Sequence, residues 1–240
     1  MEFSANPYDS PRYSIAAMAA ADERAGFITK TYLHLVGAIG ALVLLEFVLL
    51  RTPLGESLVG LMLGSQYGWL IVMGLFMGVS WVANSWAMSA TSLSKQYLGL
   101  GLYVVAQSVV LLPLIYFATH NPAYHGVVTS AAFTTLALFA ALTAVVFITR
   151  KDFSFMRSIL MFGGFAAMGL IVCAIVFSFS LGPIFTYAMI AFACGYILYD
   201  TSNVLHHYRI GQHVAASLAL FASVALLFWY ILRLFMSNRD

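Results

Sequence analysis

Ionisable side chains are scarce in the apolar part of this chain, and a charge inside lipid is costly enough to make each one a candidate for function. Asp200 is the most informative. At 100° per residue, Tyr196, Asp200, Asn203 and His207 fall within about 40–60° of one line along a helix. They make a polar stripe running towards one membrane face, beside His206 and His213. Burial and neighbouring cations act in opposite directions on the protonation of such a carboxyl, so it can serve as a pH sensor or line an ion path. The alternative is a carboxylate at a helix end, hydrated by water and nearby polar groups. The three histidines suit pH sensing or metal binding by residue type, or a solvated interfacial loop. No paired carboxylate or cysteine stands at ligand spacing beside them, so no metal site is expected.

A second pair of charges stands at the other end of the apolar runs. Glu46 and Arg233 share a similar estimated depth, so an ion pair between them is one expectation, and separate snorkelling to the headgroups is the other. Enzyme signatures are missing: there is no HExxH, no GxSxG and no glycine-rich phosphate loop. The sequence predicts neither an enzyme nor a resident cofactor. Cys173 and Cys194 sit inside apolar runs at depths differing by roughly 10 Å, which argues against a disulfide.

The elements that must position these residues follow from composition. Of 240 residues, 62% are hydrophobic and 8% charged, against roughly 25% charged in a soluble domain. So much apolar surface must face lipid or other buried helices. A span needs about 20 mostly apolar residues, and seven stretches qualify: Thr31–Leu50, Gly68–Met88, Tyr97–Ala118, Gly126–Ile148, Ser158–Ser178, Gly182–Val204 and Val214–Phe235. They are too long, and alternate too little, for barrel strands. The expected fold is therefore an all-α membrane protein, a bundle of seven transmembrane helices. A tail, residues 1–30, precedes one membrane domain, residues 31–240. Arg51–Tyr67 is read as the longest loop. Gly99/Gly101, Gly163/Gly164 and Ala137–Ala144 suit close helix packing, and Pro113 should kink the third span.

If the spans simply alternate, Arg12, Arg24, Lys30, Lys95, Arg150, Lys151, Arg157 and Arg209 fall on one side, and Arg51, Arg239 and Arg233 on the other. Positive charge is retained on the cytoplasmic side, which places the N-terminus in the cytoplasm and the C-terminus outside. A net charge of +2 with no polybasic face gives no reason to expect nucleic acid. The lipid bilayer is the first partner.

Two stretches carry a family resemblance. Ile148-Thr-Arg-Lys-Asp-Phe-Ser-Phe-Met156 resembles the basic turn of the Bax inhibitor-1 (transmembrane Bax inhibitor motif) family, and Tyr199-Asp-Thr-Ser-Asn203 resembles its sixth-helix motif. Arg24–Ala38 is similar to the start of its first helix, and the likeness covers about residues 24–240. Val204-Leu-His206 and Ser237-Asn-Arg-Asp240 resemble the bacterial YccA-like branch. That resemblance implies a multi-pass protein of the bacterial inner membrane that associates with FtsH, a membrane-anchored AAA+ protease, and restrains it. Other members of the family conduct a slow calcium leak gated by two aspartates that share a proton. Asp200 matches the first; Ser223 stands where the second is found. The resemblance therefore also implies a pH-sensitive calcium or cation leak, with calcium as the transported ion, weakened by that replacement. The second span also lacks an arginine of the kind that latches the closed state.

Overall fold

The computed structural model describes residues 15–65, 67–89 and 92–239. These form α1 (Ala21–Leu49), α2 (Pro53–Leu63), α3 (Gly68–Ala87), α4 (Leu93–His120), α5 (Val127–Thr149), α6 (Met156–Val176), α7 (Gly182–His206) and α8 (His213–Ser237). Seven of the eight are long and apolar enough to cross a membrane. In lipid a backbone must satisfy its own hydrogen bonds, and the helix does so within one segment. The chain is thus an all-α, multi-pass membrane bundle.

Local chemistry sets the boundaries. Ser92 caps α4 by accepting a hydrogen bond from the Lys95 amide at 3.3 Å. Proline stands in the first turn of α2 and of α7, where its missing N–H costs nothing. Gly126 and Gly211 take positive φ in the connections, and Gly182 does so at the first position of α7. Arg150 closes α5 in the left-handed region, and α4 continues through Pro113 as one helix.

Two of the sequence expectations change. The stretch Arg51–Tyr67 is not a plain loop, because α2 occupies most of it; at 11 residues it is too short to span. The first helix begins at Ala21, ten residues before the apolar run. Asp22 and Glu23 favour a helix start by facing the N-terminal dipole, and hydropathy does not register a helix that protrudes beyond lipid. Of the tail, residues 1–14 lie outside the described residues, and Arg12 with them. Ala16 is docked: its amide donates to the Tyr208 carbonyl at 2.8 Å, beside an isolated Ile15–Arg209 bridge.

α8 is the axle of the bundle. It touches α1, α3, α4, α5 and α7, and Val214–Leu218 are buried without interruption, as expected of a helix surrounded by protein. α6 is the most peripheral span, packed on α7 with only Leu160 and Ala174 buried. Two apolar clusters fill the interior. One gathers Phe27, Leu35, Val204, Val214 and Phe221; the other gathers Leu111, Ile115, Ile197, Leu227 and Ile231. Glycine permits a close approach of α4 to α3 at Gly99, where an added Cβ would stand 2.5 Å from the Ala83 carbonyl oxygen. Gly101, by contrast, faces open space.

Contacts between connections group the charges. The Ala16–Tyr208 contact puts the start of α1 at the same end as the α7–α8 turn. Ser202 joins the α5–α6 turn to that end, and a His34–Tyr97 hydrogen bond adds the start of α4. Arg24, Lys30, Lys95, Arg150, Lys151, Arg157 and Arg209 therefore share one end. At the opposite end, Arg239 donates to the Ala123 and His125 carbonyls at 3.2 and 2.9 Å.

Candidate functional site: the polar face of α7

Three consecutive polar residues of α7 are buried, and each reaches a different neighbour. Successive residues are rotated by 100° on a helix, so a run of three must fan outward. Asp200 meets α8, where the Ser223 hydroxyl donates to its carboxylate. Thr201 approaches Tyr32 of α1, whose hydroxyl Thr143 of α5 also approaches, though none of the three closes a hydrogen bond. Ser202 faces the α5–α6 turn: its hydroxyl accepts from the Phe153 amide at 2.9 Å and stands 3.4 Å from an Asp152 carboxylate oxygen.

Asp200 and Ser223 lie at the border between the two apolar clusters. Along α7, Asp200 falls between Ile197 of one cluster and Val204 of the other; along α8, Ser223 falls between Phe221 and Leu227. Both are almost wholly buried, 7% and 3% exposed. A carboxylate held there with one hydroxyl partner is a costly arrangement, and Tyr103 of α4 and Tyr208 stand within electrostatic reach of it.

The expected stripe of Tyr196, Asp200, Asn203 and His207 divides. The Tyr196 hydroxyl donates to the Leu160 carbonyl of α6 at 3.4 Å, while Asn203 contributes its backbone carbonyl to the end of α7. His207 Nε2 lies 3.2 and 3.0 Å from the two Asp152 oxygens, the one basic side chain within 4 Å of a carboxylate among the described residues. The stripe fails as a continuous path because tolerances of 40–60° span two neighbouring helices. The histidines also disperse: His206 Nε2 is buried without a partner among the described residues, and the His213 ring lies 4.9 Å from that of His34.

The Glu46–Arg233 pair is not formed. Glu46 is buried, and neither carboxylate oxygen has a hydrogen-bond partner among the described residues. Equal depth does not make two residues face each other, since helix rotation decides that separately. Arg233 instead has Tyr230, one turn away on its own helix, within electrostatic reach.

Sequence reasoning passed over Ser202 and Asp152 as site residues. The Asp200-Thr-Ser-Asn203 run itself held the signal, because four polar residues in sequence within a span need partners on several sides. The turn is tied chiefly by the Ser154 amide, which donates to Asp152 at 2.8 Å; with His207 added, it holds the Asp152 carboxyl down to about 2. A lowered carboxyl pKa contributes stability above the unfolded value, about 4, and loses it as pH falls through the folded one. A carbon-13 NMR titration of Asp152 in micelles should therefore show no change from pH 7 to about 4 and a midpoint near 2. An ordinary midpoint near 4 would show the turn to be unformed.

The geometry brings together the two stretches that carried the family resemblance, since the Phe153 amide of the first donates to the Ser202 hydroxyl of the second. Comparison with known proteins agrees. The profile of the family described as "Inhibitor of apoptosis-promoting Bax1" matches residues 24–240. Bax inhibitor 1 of Schizosaccharomyces pombe is 29% identical over 187 residues, 73% of this chain and 65% of the yeast protein's own length. An uncharacterized protein of Pseudomonas aeruginosa is 27% identical over 223 residues, 92% of this chain and 93% of its own. A BI1-like protein of Arabidopsis thaliana is 34% identical over 117 residues, 45% of this chain and 44% of that protein. With a family profile matched across nearly all of its length and its defining stretches in mutual contact, the chain belongs to the Bax inhibitor-1 family.

Proposed function

We propose that this chain is a non-catalytic regulator in the bacterial inner membrane, of the YccA-like branch, which binds the membrane-anchored AAA+ protease FtsH and restrains it. The N-terminus lies in the cytoplasm in this reading, on the side that holds most of the basic residues. The observation that carries it is the docking of the tail. Ala16 is hydrogen-bonded to Tyr208, in the turn that joins the helix of Asp200 to the helix of Ser223. A partner that grips residues 1–14 pulls directly on that turn, so binding is felt at the buried carboxyl. Exposed apolar side chains along α3 and α6, among them Leu75, Trp81, Phe162 and Phe165, offer further helix-facing surface.

Copurification in mild detergent tests this reading. FtsH should be retained by the full chain and lost when residues 1–14 are deleted. No complex with the full chain, or one unaffected by the deletion, removes the proposal.

The Asp200–Ser223 contact favours a second reading, a pH-sensitive calcium or cation leak. One carboxyl with a hydroxyl partner can open or close as it gains or loses a proton. Two carboxylates sharing a proton repel one another and titrate as a unit, a steeper switch that a hydroxyl cannot reproduce. Vesicles loaded with a calcium dye should show a flux that changes with pH in the parent and is insensitive to pH in Asp200→Asn. Equal flux and equal pH response in the two would remove Asp200 from the path.

A further inference from the structure

A groove of about 660 Å³ runs between α1 and α4 on the lipid-facing side of the bundle. Its size lies within the range of small-molecule sites. Buried Ala38, Leu100 and Val104 lie at its base, Gly37, Ala41 and Gly101 leave it open, and Leu33, Leu44 and Val105 form exposed walls. Side chains added at Gly37 or Gly101 would meet no protein atom within 4 Å, so the furrow exists because those residues are glycine.

Its polarity is confined to one end. His34 Nδ1 lies 2.7 Å from the Lys30 carbonyl, an acceptor, so this nitrogen carries the proton. His34 Nε2, the other ring nitrogen, lies 3.0 Å from the Tyr97 hydroxyl. Lys30 is one turn before His34 and within about 40° of the same line, so it stands at the groove's mouth. Its side chain is exposed, and no carboxylate pairs with it among the described residues. From Lys30, outside the mouth, to Leu45 at the far end of the lining, at 1.5 Å per residue, the rise is about 22 Å. That is about half of a 40–45 Å bilayer with its headgroups.

We propose that this groove binds one anionic phospholipid of the leaflet facing the Arg150–Arg157 turn. Lys30 holds its phosphate beside the His34–Tyr97 pair, and one acyl chain lies along Gly37, Ala41 and Gly101. The match is in charge and in length. A single cation at one end with an apolar furrow one leaflet deep fits a molecule having one anionic end and a tail. A partner's transmembrane helix would continue across the whole apolar thickness, beyond the reach of a furrow one leaflet deep. The site is separate from the polar face of α7 and does not depend on FtsH binding or on ion conduction.

Native mass spectrometry of the full chain released from nanodiscs of equal phosphatidylglycerol and phosphatidylcholine tests this. One phosphatidylglycerol should stay bound, preferred by about fivefold, the factor that one lysine near an anionic surface supplies. Lys30→Gln should lose the preference while still retaining a lipid. Gly37→Leu and Gly101→Leu should each lose the bound lipid, and both substitutions point into open space, so the bundle still folds. Equal retention of the two lipids by the parent overturns the proposal, as does unchanged phosphatidylglycerol binding in both leucine variants. Crosslinking of Gly37→Cys to a second polypeptide in the bilayer would assign the groove to helix packing and overturn it too.

Discussion

Replacing Gly99 with leucine is expected to destabilise the bundle by about 3 kcal/mol, at the upper end of what overpacking usually costs. An added Cβ at this position would stand 2.5 Å from the Ala83 carbonyl oxygen and 2.7 Å from the Ala87 amide nitrogen. Both are main-chain atoms of α3, and Ala83 and Ala87 are wholly buried, so no flexible side chain can yield. The only relief is to move α3 away from α4. That would open the packing around Tyr103, which contacts Phe76 of α3 and Phe221 of α8. Gly78→Leu is the control, because a side chain there faces open space. Thermal unfolding in detergent should show a clear drop for Gly99→Leu and little change for Gly78→Leu. Equal behaviour of the two would mean that α3 and α4 do not approach as described.

The second large effect is expected at Ser223. Ser223→Val keeps the approximate shape of the side chain and removes the donor, leaving the buried Asp200 carboxylate without its partner. A stranded buried polar group costs about 1–3 kcal/mol, more when charged. Asp200→Leu should cost less, since the freed serine hydroxyl can bond to a carbonyl of its own helix. The double variant Asp200→Leu/Ser223→Val should then be more stable than Ser223→Val alone. Interhelical hydrogen bonds in membrane proteins couple by about 0.6 kcal/mol on average and reach about 1.7. Additive effects in the cycle would show that the two residues do not interact.

The spans were legible in the sequence because their cause is one-dimensional. Twenty apolar residues in a row have few places to go but a bilayer, and all seven stretches correspond to α1 and α3–α8 within a few residues at most ends. The start of α1 and the whole of α2 were not legible, since neither depends on crossing lipid. The first is set by an acidic first turn beyond the membrane, and the second by a proline start in a segment too short to span. Asp200 and Ser223 could be singled out separately, one by its cost in lipid and one by resemblance. That Ser223 donates to Asp200 required the relative rotation of α7 and α8, which no hydropathy pattern contains. The same gap explains Glu46 and Arg233, matched in depth and not in direction. It also explains the groove at Gly37, because a glycine that permits contact and a glycine that leaves space are identical in a sequence.

The position of α8 at the centre has a consequence for biogenesis. It is made after the other seven helices, so during synthesis the nascent chain inserts six spans before their common support reaches the membrane. Until then Asp200 lacks its donor, and the inward sides of α1, α4, α5 and α7 have only lipid or each other to cover them. Such half-built states are the ones most exposed to misassembly. Closure of the bundle around Asp200 therefore waits on α8, whose contacts with α1, α4, α5 and α7 cannot form before it is made.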